Sequence, residues 1–356
     1  MKNMKKETLQ MIYTIGGVVI VSAIVMILNA AGALNSLFSG LLVPICVYTL
    51  AAIGLNLCVG YLGELSLGHA GFMCIGAFSS SFFSMVFKNT LPDGIRFFLA
   101  IVVGAAMAAI FGFLIAIPVL RLNGDYLAIV TLAFGEIIKN VINTAYIGKD
   151  SKGLHFALDV AKLNMEADGE VIINGPLGIT GTPRQASFVV GVILIVLSLF
   201  VVYNFVNSRT GRAVKAIRDN RIAAETVGLP VTKYKLIAFT ISAAIAGVAG
   251  VLYGHNLNSL TATTKNFGYN MSIMILVYVV LGGIGNFRGA IIATVVLYAL
   301  PELLRGLADY RMLIYSVVLI ALMLFNWAPA ILNWRQVKGL TAEGLKQRFS
   351  RKKEVE

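Results

Sequence analysis

Residues 60–76, with the sequence GYLGELSLGHAGFMCIG, combine five glycines with an acid, a hydroxyl and an imidazole. Backbone breaks within a membrane occur only where they are buried in protein or line a cavity, and the freed backbone groups can bind polar atoms of a substrate. A carboxylate at such a place is costly and usually faces a protein interior or a cavity. We therefore predict a substrate pathway lined by Glu64, Ser66, Gly68 and His69. The alternative is close helix packing through small residues, with Glu64 at the membrane interface.

Residues 120–141 (LRLNGDYLAIVTLAFGEIIKNV) carry a second set of polar groups. A helix is predicted to begin at Asp125, whose carboxylate can cap it and complement the positive end of the helix dipole. Glu136 and Lys139 are three residues apart, so they share a face of this helix and can form an ion pair. One interpretation is a cap and an ion pair that only permit insertion of the helix. The other places Glu136 near the external mouth of a pathway, with Thr131 as a further pathway candidate.

Residues 207–235 are strongly basic and are predicted to form two short helices. Asp219–Asn220 can cap the second helix, Gly228 can end it, and Pro230 prevents its continuation. Such a loop is longer than membrane topology requires, which favours a docking element for another protein. The alternative is a loop whose positive charge only fixes the topology. The residues assigned to docking are basic or small, so that a partner surface can approach closely: Arg212, Arg218, Ala223, Ala224 and Gly228.

Several motifs of enzymes and metal sites are missing from the sequence. It contains no G-x-x-x-x-G-K-[ST] phosphate loop, no HExxH and no GxSxG. The three histidines are isolated, and Cys46, Cys58 and Cys74 lack CxxC spacing, so we predict no metal site and no disulfide framework. An intramembrane hydrolase would need a converging nucleophile and base, and Ser66 with His69 is the only neighbouring pair. We predict no catalytic residue and no cofactor bound by this chain.

The elements that must position these residues follow from composition. Of the 356 residues, 58% are apolar and 13% are charged, against about 25% charged in soluble domains. No Asp, Glu, Lys or Arg occurs between Glu7 and Glu64, whereas roughly 20 apolar residues suffice to cross a bilayer. We predict an all-α polytopic membrane protein with about ten hydrophobic segments, some of them discontinuous. The segments cover residues 11–28, 40–60, 65–87, 97–120, 125–145, 186–206, 236–256, 270–286, 289–307 and 312–333.

The distribution of charge predicts the orientation in the membrane. A net charge of +12 in a soluble chain would favour nucleic acid as a partner. In a membrane protein, however, Lys and Arg gather in the cytoplasmic loops, so we predict the lipid bilayer as the partner and no nucleic acid. Both termini are then cytoplasmic. The transmembrane domain covers 1–334, with an external loop at 146–185 and a cytoplasmic coupling loop at 207–235, and a charged cytoplasmic tail follows at 335–356.

The order of the motifs resembles the LivM-type permease subunit of branched-chain amino acid ABC importers. A transport chain without its own ATP-binding motif, but with a structured docking loop, is typical of a subunit driven by separate ATPases. The resemblance extends over residues 45–325 and rests on five stretches in the family's order. They are GYLGELSLGHAGF, LRLNGDYLAIVTLAFGEIIKNV, GPLGITGTP at 175–183, the loop from 212 to 250, and VLGGIGNFRG at 280–289.

This resemblance implies an ABC importer permease architecture in a bacterial or archaeal cytoplasmic (inner) membrane. The chain would pair with a LivH-type permease subunit, two cytoplasmic ATPase subunits that use ATP and Mg, and an external substrate-binding protein. Ala223, Ala224 and Gly228 match the family's EAA loop, which seats a coupling helix in a groove of the ATPase. Asn220–Arg221 stands where the family often carries an acidic residue before the alanine pair. Transport would proceed by alternating access.

Two other functions fit the pattern less closely. A permease of the same architecture can import urea, short amides, sugars or nucleosides, because specificity resides largely in the binding protein. An ion-coupled secondary transporter would place ionisable groups at the membrane midplane of broken helices. Most acidic residues of this chain fall near predicted helix ends instead. We therefore expect uptake of branched-chain amino acids driven by ATP.

Overall fold

The computed structural model describes residues 2–32, 35–88, 90–122, 124–150, 153–159, 169–304 and 310–327, and the predicted tail at 335–356 lies outside these ranges. The described chain is mostly helical. Its longer helices are α1 (Lys2–Ala30), α2 (Ser36–Asn56), α3 (His69–Val86), α4 (Asp93–Val119), α5 (Asp125–Thr144), α6 (Phe188–Asn207), α7 (Arg209–Asp219), α9 (Val231–Gly254), α11 (Tyr269–Gly282), α12 (Phe287–Leu303) and α13 (Arg311–Trp327). The short helices are α8 (Arg221–Thr226) and α10 (Thr264–Phe267).

Seven helices in the described part of the chain are long and apolar enough to cross a membrane. This confirms a polytopic membrane protein. The prediction of about ten crossing segments is not confirmed, because α11, α12 and α13 have only 14, 17 and 17 residues. The membrane-length stretches are Met11–Ala30, Phe38–Leu62, His69–Val86, Asp93–Val119, Tyr126–Thr144, Phe188–Asn207 and Val231–Gly254.

The prediction of an all-α chain is wrong for the predicted external loop at 146–185. Three antiparallel strands in this loop form a sheet of order β2–β1–β3, and a fourth strand pairs with a later one. Short runs such as EVII favour this, because β-branched residues suit a strand and the run is too short for a stable helix. The strands are β1 (Tyr146–Asp150), β2 (Gly153–Ala157), β3 (Glu170–Asn174), β4 (Ile179–Thr180) and β5 (Ser259–Leu260).

Helix α9 lies at the centre of the helical packing, in contact with α2, α3 and α4. Glycines make these contacts close: a Cβ atom at Gly76 of α3 would lie 2.6 Å from the Cα of Gly247. A Cβ at Gly250 would lie 2.9 Å from the Cα of Met73, and one at Gly112 would lie 2.5 Å from the Cβ of Ala243. Small residues allow this approach, and close packing is what holds membrane helices together.

The predicted discontinuity within residues 60–76 is confirmed. Helix α2 continues into a wider π-helical turn at Leu57–Leu62, and Gly63 then adopts a left-handed conformation with φ of +78°. Residues 63–68 run without helical structure until α3 begins at His69. The junction of α11 and α12 is similar, because Gly283 and Gly285, with φ of +98° and +80°, separate these two helices. We call residues 63–68 the break and Leu57–Leu62 the π-turn.

The chain divides into two compact units, Met1–Val295 and Val296–Glu356. All of the polar contacts described below lie within the first unit. The second unit contains the C-terminal part of α12 and the whole of α13.

Adding a methyl group at the contact between α3 and α9 tests this packing. We expect Gly76→Ala to lower the stability of the folded chain by about 1–3 kcal/mol, because well-packed interiors do not accommodate extra atoms without strain. Thermal unfolding of the purified chain in detergent measures the change. Gly94→Ala is the matched control, since a Cβ at Gly94 meets no atom within 4 Å. An unchanged melting temperature for Gly76→Ala would show that the two helices are not in close contact.

Candidate functional site

The carboxylate of Glu64 lies in the break and forms an ion pair with Lys235 of α9. Both residues are buried, with 9% and 5% of their surfaces exposed. The thiol of Cys58 in the π-turn donates to the backbone carbonyl of Glu64 at 3.3 Å. A buried charge is costly unless it is paired, so the ion pair fixes the break to α9. Sequence analysis missed Lys235, although a lysine one residue before an uncharged membrane segment was a signal of such a pair.

A chain of hydrogen bonds connects the break to α9 and α2 through His69. The Ser242 hydroxyl donates to the carbonyl of Gly54 at 2.6 Å, so it can accept from Nε2 of His69, which lies 2.9 Å away. Nδ1 of His69 then accepts from the Ser66 hydroxyl at 3.3 Å. These contacts assign a neutral imidazole with its proton on Nε2. Both ring nitrogens are therefore used to hold three segments of the chain together.

Two backbone N–H groups, one in the break and one in the first turn of α3, donate to hydroxyls of other helices. The backbone N–H of Leu67 donates to the Thr131 hydroxyl of α5 at 3.0 Å, and the N–H of Ala70 donates to the Ser272 hydroxyl of α11 at 3.1 Å. A Cβ at Gly68 would lie 2.5 Å from the carbonyl oxygen of Thr131, so only glycine fits there. Helix starts have unpaired N–H groups, and here Ser272 satisfies one of them, while Thr131 satisfies an N–H of the break.

Five of the six predicted pathway residues therefore meet at the break, and Glu136 does not. Its carboxylate forms an ion pair with Lys139, which confirms the predicted pairing, and accepts from the backbone N–H of Tyr269 at 2.8 Å. Lys139 also donates to the Thr264 hydroxyl at 3.0 Å. Tyr269 is the first residue of α11, where a negative charge complements the helix dipole. Glu136 thus forms a separate cluster that fixes α10 and α11 to α5.

The predicted docking loop has the expected local structure. The Asn220 side chain accepts from the backbone N–H of Ala223 at 3.0 Å and caps α8. Gly228 ends this helix in a left-handed conformation with φ of +80°. Ala223 is exposed, whereas Ala224 is buried against Ile217 and its neighbours. The caps that the sequence predicted at Asn220 and Gly228 are confirmed.

Two apolar side chains of this loop were missed by sequence analysis. Ile222 and Val227 are 75% and 78% exposed, although charged residues surround them. Both side chains lie between α7 and α9, outside the helices of membrane length. A signal was present in the sequence, since isoleucine is an unfavourable residue on the polar face of a short amphipathic helix.

The basic residues of the loop point in different directions. A guanidinium N–H of Arg212 donates to the carbonyl of Asn207 at 2.8 Å, close to its own helix. Arg218 donates to the carbonyl of Gly60 in the π-turn at 2.6 Å and also pairs with Asp219. The docking loop therefore touches the segment that precedes the break.

The arrangement provides binding and positioning groups. Among the residues that the structure describes, no three His, Cys, Asp or Glu side chains are placed to hold a metal ion. Cys46, Cys58 and Cys74 are buried free thiols. The polar groups at the break pair mainly with each other, so the site is a hydrogen-bonded junction between helices that lines the interior of the bundle.

Breaking the ion pair of Glu64 and Lys235 tests this junction. We expect Glu64→Gln to lower the free energy of unfolding by about 3 kcal/mol, because the lysine charge is then buried without a counter-ion. The double variant Glu64→Gln with Lys235→Met should regain part of the loss, as thermal unfolding in detergent can measure. Glu225→Gln, which removes an exposed ion pair with Arg221, is the control and should cost less than about 1 kcal/mol. If the double variant lost as much stability as Glu64→Gln and Lys235→Met lose together when each is made alone, that result would contradict the pairing.

Comparison with known proteins finds a family and several relatives that are similar to this chain. Residues 37–326 match the family described as branched-chain amino acid transport system, permease component. The high-affinity branched-chain amino acid transport system permease protein LivM of Escherichia coli is 35% identical over 294 residues, which cover 80% of this chain and 67% of that protein.

Two further relatives are more distant. The fructose import permease protein FruG of Bifidobacterium longum is 26% identical over 69% of this chain and 75% of its own length. The permease protein LivH of the Escherichia coli branched-chain amino acid system is 24% identical over 74% of this chain and 83% of its own length. No solved structure is significantly similar to this chain. The match over most of its length and the 35% identity with LivM show that the chain belongs to the family of permease components of branched-chain amino acid transport systems.

Proposed function

We propose that this chain is one permease subunit of an ATP-driven, binding-protein-dependent importer of the branched-chain amino acids leucine, isoleucine and valine. The observation that carries the proposal is the 35% identity with the LivM permease of Escherichia coli over 80% of the chain. Seven helices of membrane length agree with a protein that forms part of a transmembrane passage.

The partners that we propose follow from the missing ATP-binding motif and from the similarity to LivM and LivH. The sequence has no phosphate-binding loop, so ATP and Mg are assigned to two separate ATPase subunits. The similarity to both LivM and LivH supports a second, LivH-like permease subunit. A substrate-binding protein on the external side completes the importer.

The docking loop is proposed to seat in the ATPase subunits. Ile222 and Val227 lie on either side of Ala223, whose small side chain leaves the backbone of α8 open to a partner. Two apolar side chains inserted into a groove supply binding energy because they leave water on docking. The basic residues Arg212 and Arg218 of the same loop contribute positive charge, while Arg212 bonds the carbonyl of Asn207 and Arg218 bonds the carbonyl of Gly60.

The break is proposed as the moving part of the transport cycle. The chain between α2 and α3 is held by side-chain hydrogen bonds instead of a continuous helical ladder. Two helices joined in this way can shift as separate bodies, and each side-chain contact can exchange one partner for another. We assign Glu64, Ser66, Gly68, His69 and Thr131 to the pathway. Glu136, in its cluster with Lys139, is assigned to the external end.

The orientation proposed here is cytoplasmic for both termini and for the docking loop, with the β1–β3 sheet outside. The sheet and the docking loop lie at opposite ends of α6, as this orientation requires. The loop carries the larger share of positive charge, which favours the cytoplasmic side. The chain is accordingly a multi-pass protein of the bacterial or archaeal cytoplasmic membrane.

A sugar is the second candidate substrate class. It is supported by the 26% identity with the fructose import permease of Bifidobacterium longum, and urea, short amides and nucleosides belong to the same alternative. Ion-coupled transport is less well supported, because Glu64 and Glu136 already pair with Lys235 and Lys139. A coupling carboxylate would have to be available to the ion.

Uptake into liposomes tests the proposal. The chain, its co-purified subunits and their binding protein are reconstituted with labelled leucine, isoleucine or valine, and with fructose and urea as comparison solutes. One set contains internal ATP without an ion gradient, and the other contains a Na⁺ or H⁺ gradient without ATP. We expect uptake of the amino acids only with ATP. Uptake of fructose or urea instead would reassign the substrate, and uptake with a gradient alone would contradict the whole proposal.

A substitution at Gly228 tests the docking loop. A valine there would be strained by about 1–2 kcal/mol, because L-residues avoid the left-handed conformation that ends α8. We expect Gly228→Val to abolish most ATP-driven uptake while the chain still inserts into the membrane, as fractionation and uptake assays can establish. Gly32→Val is the matched control, since Gly32 has φ of +69° with no atom within 4 Å of its Cβ position. Normal uptake by Gly228→Val would remove the loop from the docking site.

A further inference from the structure

The π-turn at the end of α2 leaves backbone carbonyl groups that the helix itself does not pair. In the π-turn, the carbonyl of Cys58 accepts from the N–H of Gly63 and, at 3.3 Å, from the N–H of Glu64. The chain then departs into the break, so the carbonyl of Gly60 has no later helical N–H to accept from. Such carbonyl groups at a helix end require a cap, and π-helical turns are frequent at functional sites.

Helix α7 of the docking loop supplies that cap. Arg218 donates to the carbonyl of Gly60 at 2.6 Å. Its side chain lies across Gly63, where a Cβ atom would come within 2.5 Å of the Arg218 Cγ. The ammonium group of Lys215, one turn earlier, lies 5.5 Å from the centre of the Tyr61 ring. Positive charges at the negative end of a helix dipole, and over an aromatic face, are favourable.

The opposite side of the π-turn is held by the segment between α11 and α12. The Tyr61 hydroxyl donates to the carbonyl of Gly285 at 3.0 Å, and the N–H of Gly285 donates to the Asn56 side chain at 2.8 Å. The Tyr61 ring stacks on Phe287 with centroids 5.2 Å apart. The π-turn is therefore in contact with α7 on one side and with the segment between α11 and α12 on the other.

An unpaired polar group of Asn56 favours a second arrangement of hydrogen bonds at this turn. Its Nδ2 donor is buried and has no hydrogen-bond partner among the residues that the structure describes. A buried donor without a partner is rare in proteins and calls for an explanation. The side chain lies next to Gly60, since a Cβ at Gly60 would be 2.6 Å from Oδ1 of Asn56. The unpaired donor therefore belongs to a side chain that lies against the π-turn.

We infer that Arg218 and Lys215 are positioning residues that hold the π-turn closed, and that they transmit movement of the docking loop to the break. Arg218 lies in the last turn of α7, two residues before Asn220, which caps α8, and α7 packs against α8, so we expect a movement of α8 to shift Arg218. When the loop moves, the Gly60 carbonyl loses its cap and the π-turn can change its hydrogen bonds. The break and Glu64 follow directly after it. This inference rests on the proposed function only for its role in transport.

The thiol of Cys58 reports on the π-turn without any partner subunit. The rate of its alkylation by N-ethylmaleimide is measured in the purified chain by peptide mass spectrometry, with Cys46 and Cys74 as internal reference thiols. We expect Arg218→Met to accelerate alkylation of Cys58 about tenfold, the effect of losing a charged hydrogen bond on local opening. Lys215→Met should accelerate it about threefold, and Arg218→Lys should give a rate between those of Arg218→Met and the wild type.

The control for these variants is Arg121→Met, which removes an exposed arginine outside the docking loop. Its three thiols should react at the wild-type rates. The inference is overturned if Cys58 of Arg218→Met reacts no faster than in the wild type. It is equally overturned if all three thiols accelerate together, because that result would mean general loosening of the fold.

The role in transport is read from the complete importer in liposomes, as moles of amino acid taken up per mole of ATP hydrolysed. We expect Arg218→Met to lower this ratio about tenfold whatever the rate of ATP hydrolysis, with partial rescue by Arg218→Lys. A parallel loss of hydrolysis and uptake, with the ratio unchanged, would contradict transmission through Arg218. If the wild-type importer takes up no amino acid with ATP, the proposed function fails, and the Cys58 rates decide alone whether Arg218 holds the π-turn.

Discussion

The break at residues 63–68 interrupts the hydrogen bonds of a helix inside a membrane bundle, and the surrounding structure is arranged to compensate for it. Lipid offers neither donors nor acceptors, so every backbone group freed there must be satisfied by protein. Side chains from three different helices do this: Thr131 for Leu67 in the break, Ser272 for the first turn of α3, and Arg218 for the π-turn. The break is therefore satisfied only with helices distant in the sequence packed around it.

The small residues of α9 make this compensation possible. Gly247 and Gly250 allow α3 to approach α9 to backbone contact. At that separation the imidazole of His69 reaches the Ser242 hydroxyl, and the hydroxyl reaches α2. A larger side chain in the helix contact would move α3 outward and break several hydrogen bonds at once. Close packing of the helices and hydrogen bonding of the polar groups therefore depend on each other. From the sequence, close packing and a polar site were alternative interpretations of residues 60–76.

Local features of the fold could be predicted from the sequence because they depend on neighbouring residues. The membrane-length segments, the discontinuity after Gly60, the caps at Asn220 and Gly228, and the pair of Glu136 with Lys139 are all of this kind. The pairing of the break with its partners was harder to predict, since Thr131 and Ser272 bond to residues 64 and 202 positions away along the chain, and only Lys235 carried a signal in the sequence. The strands of the 146–185 loop were missed because their short runs resemble irregular loop sequence.

The stability of the break is distributed over many modest contacts, and this suits a part that must rearrange. A neutral hydrogen bond typically contributes only about 1 kcal/mol net, and the ion pair of Glu64 with Lys235 is the stronger contact among them. The contacts come from α5, α7, α9 and α11, and each helix supplies its own part. A shift of one helix therefore releases some contacts while the others hold the segment in place. A continuous helix through Gly63 would lack this property, because its hydrogen-bond ladder breaks or persists as a unit.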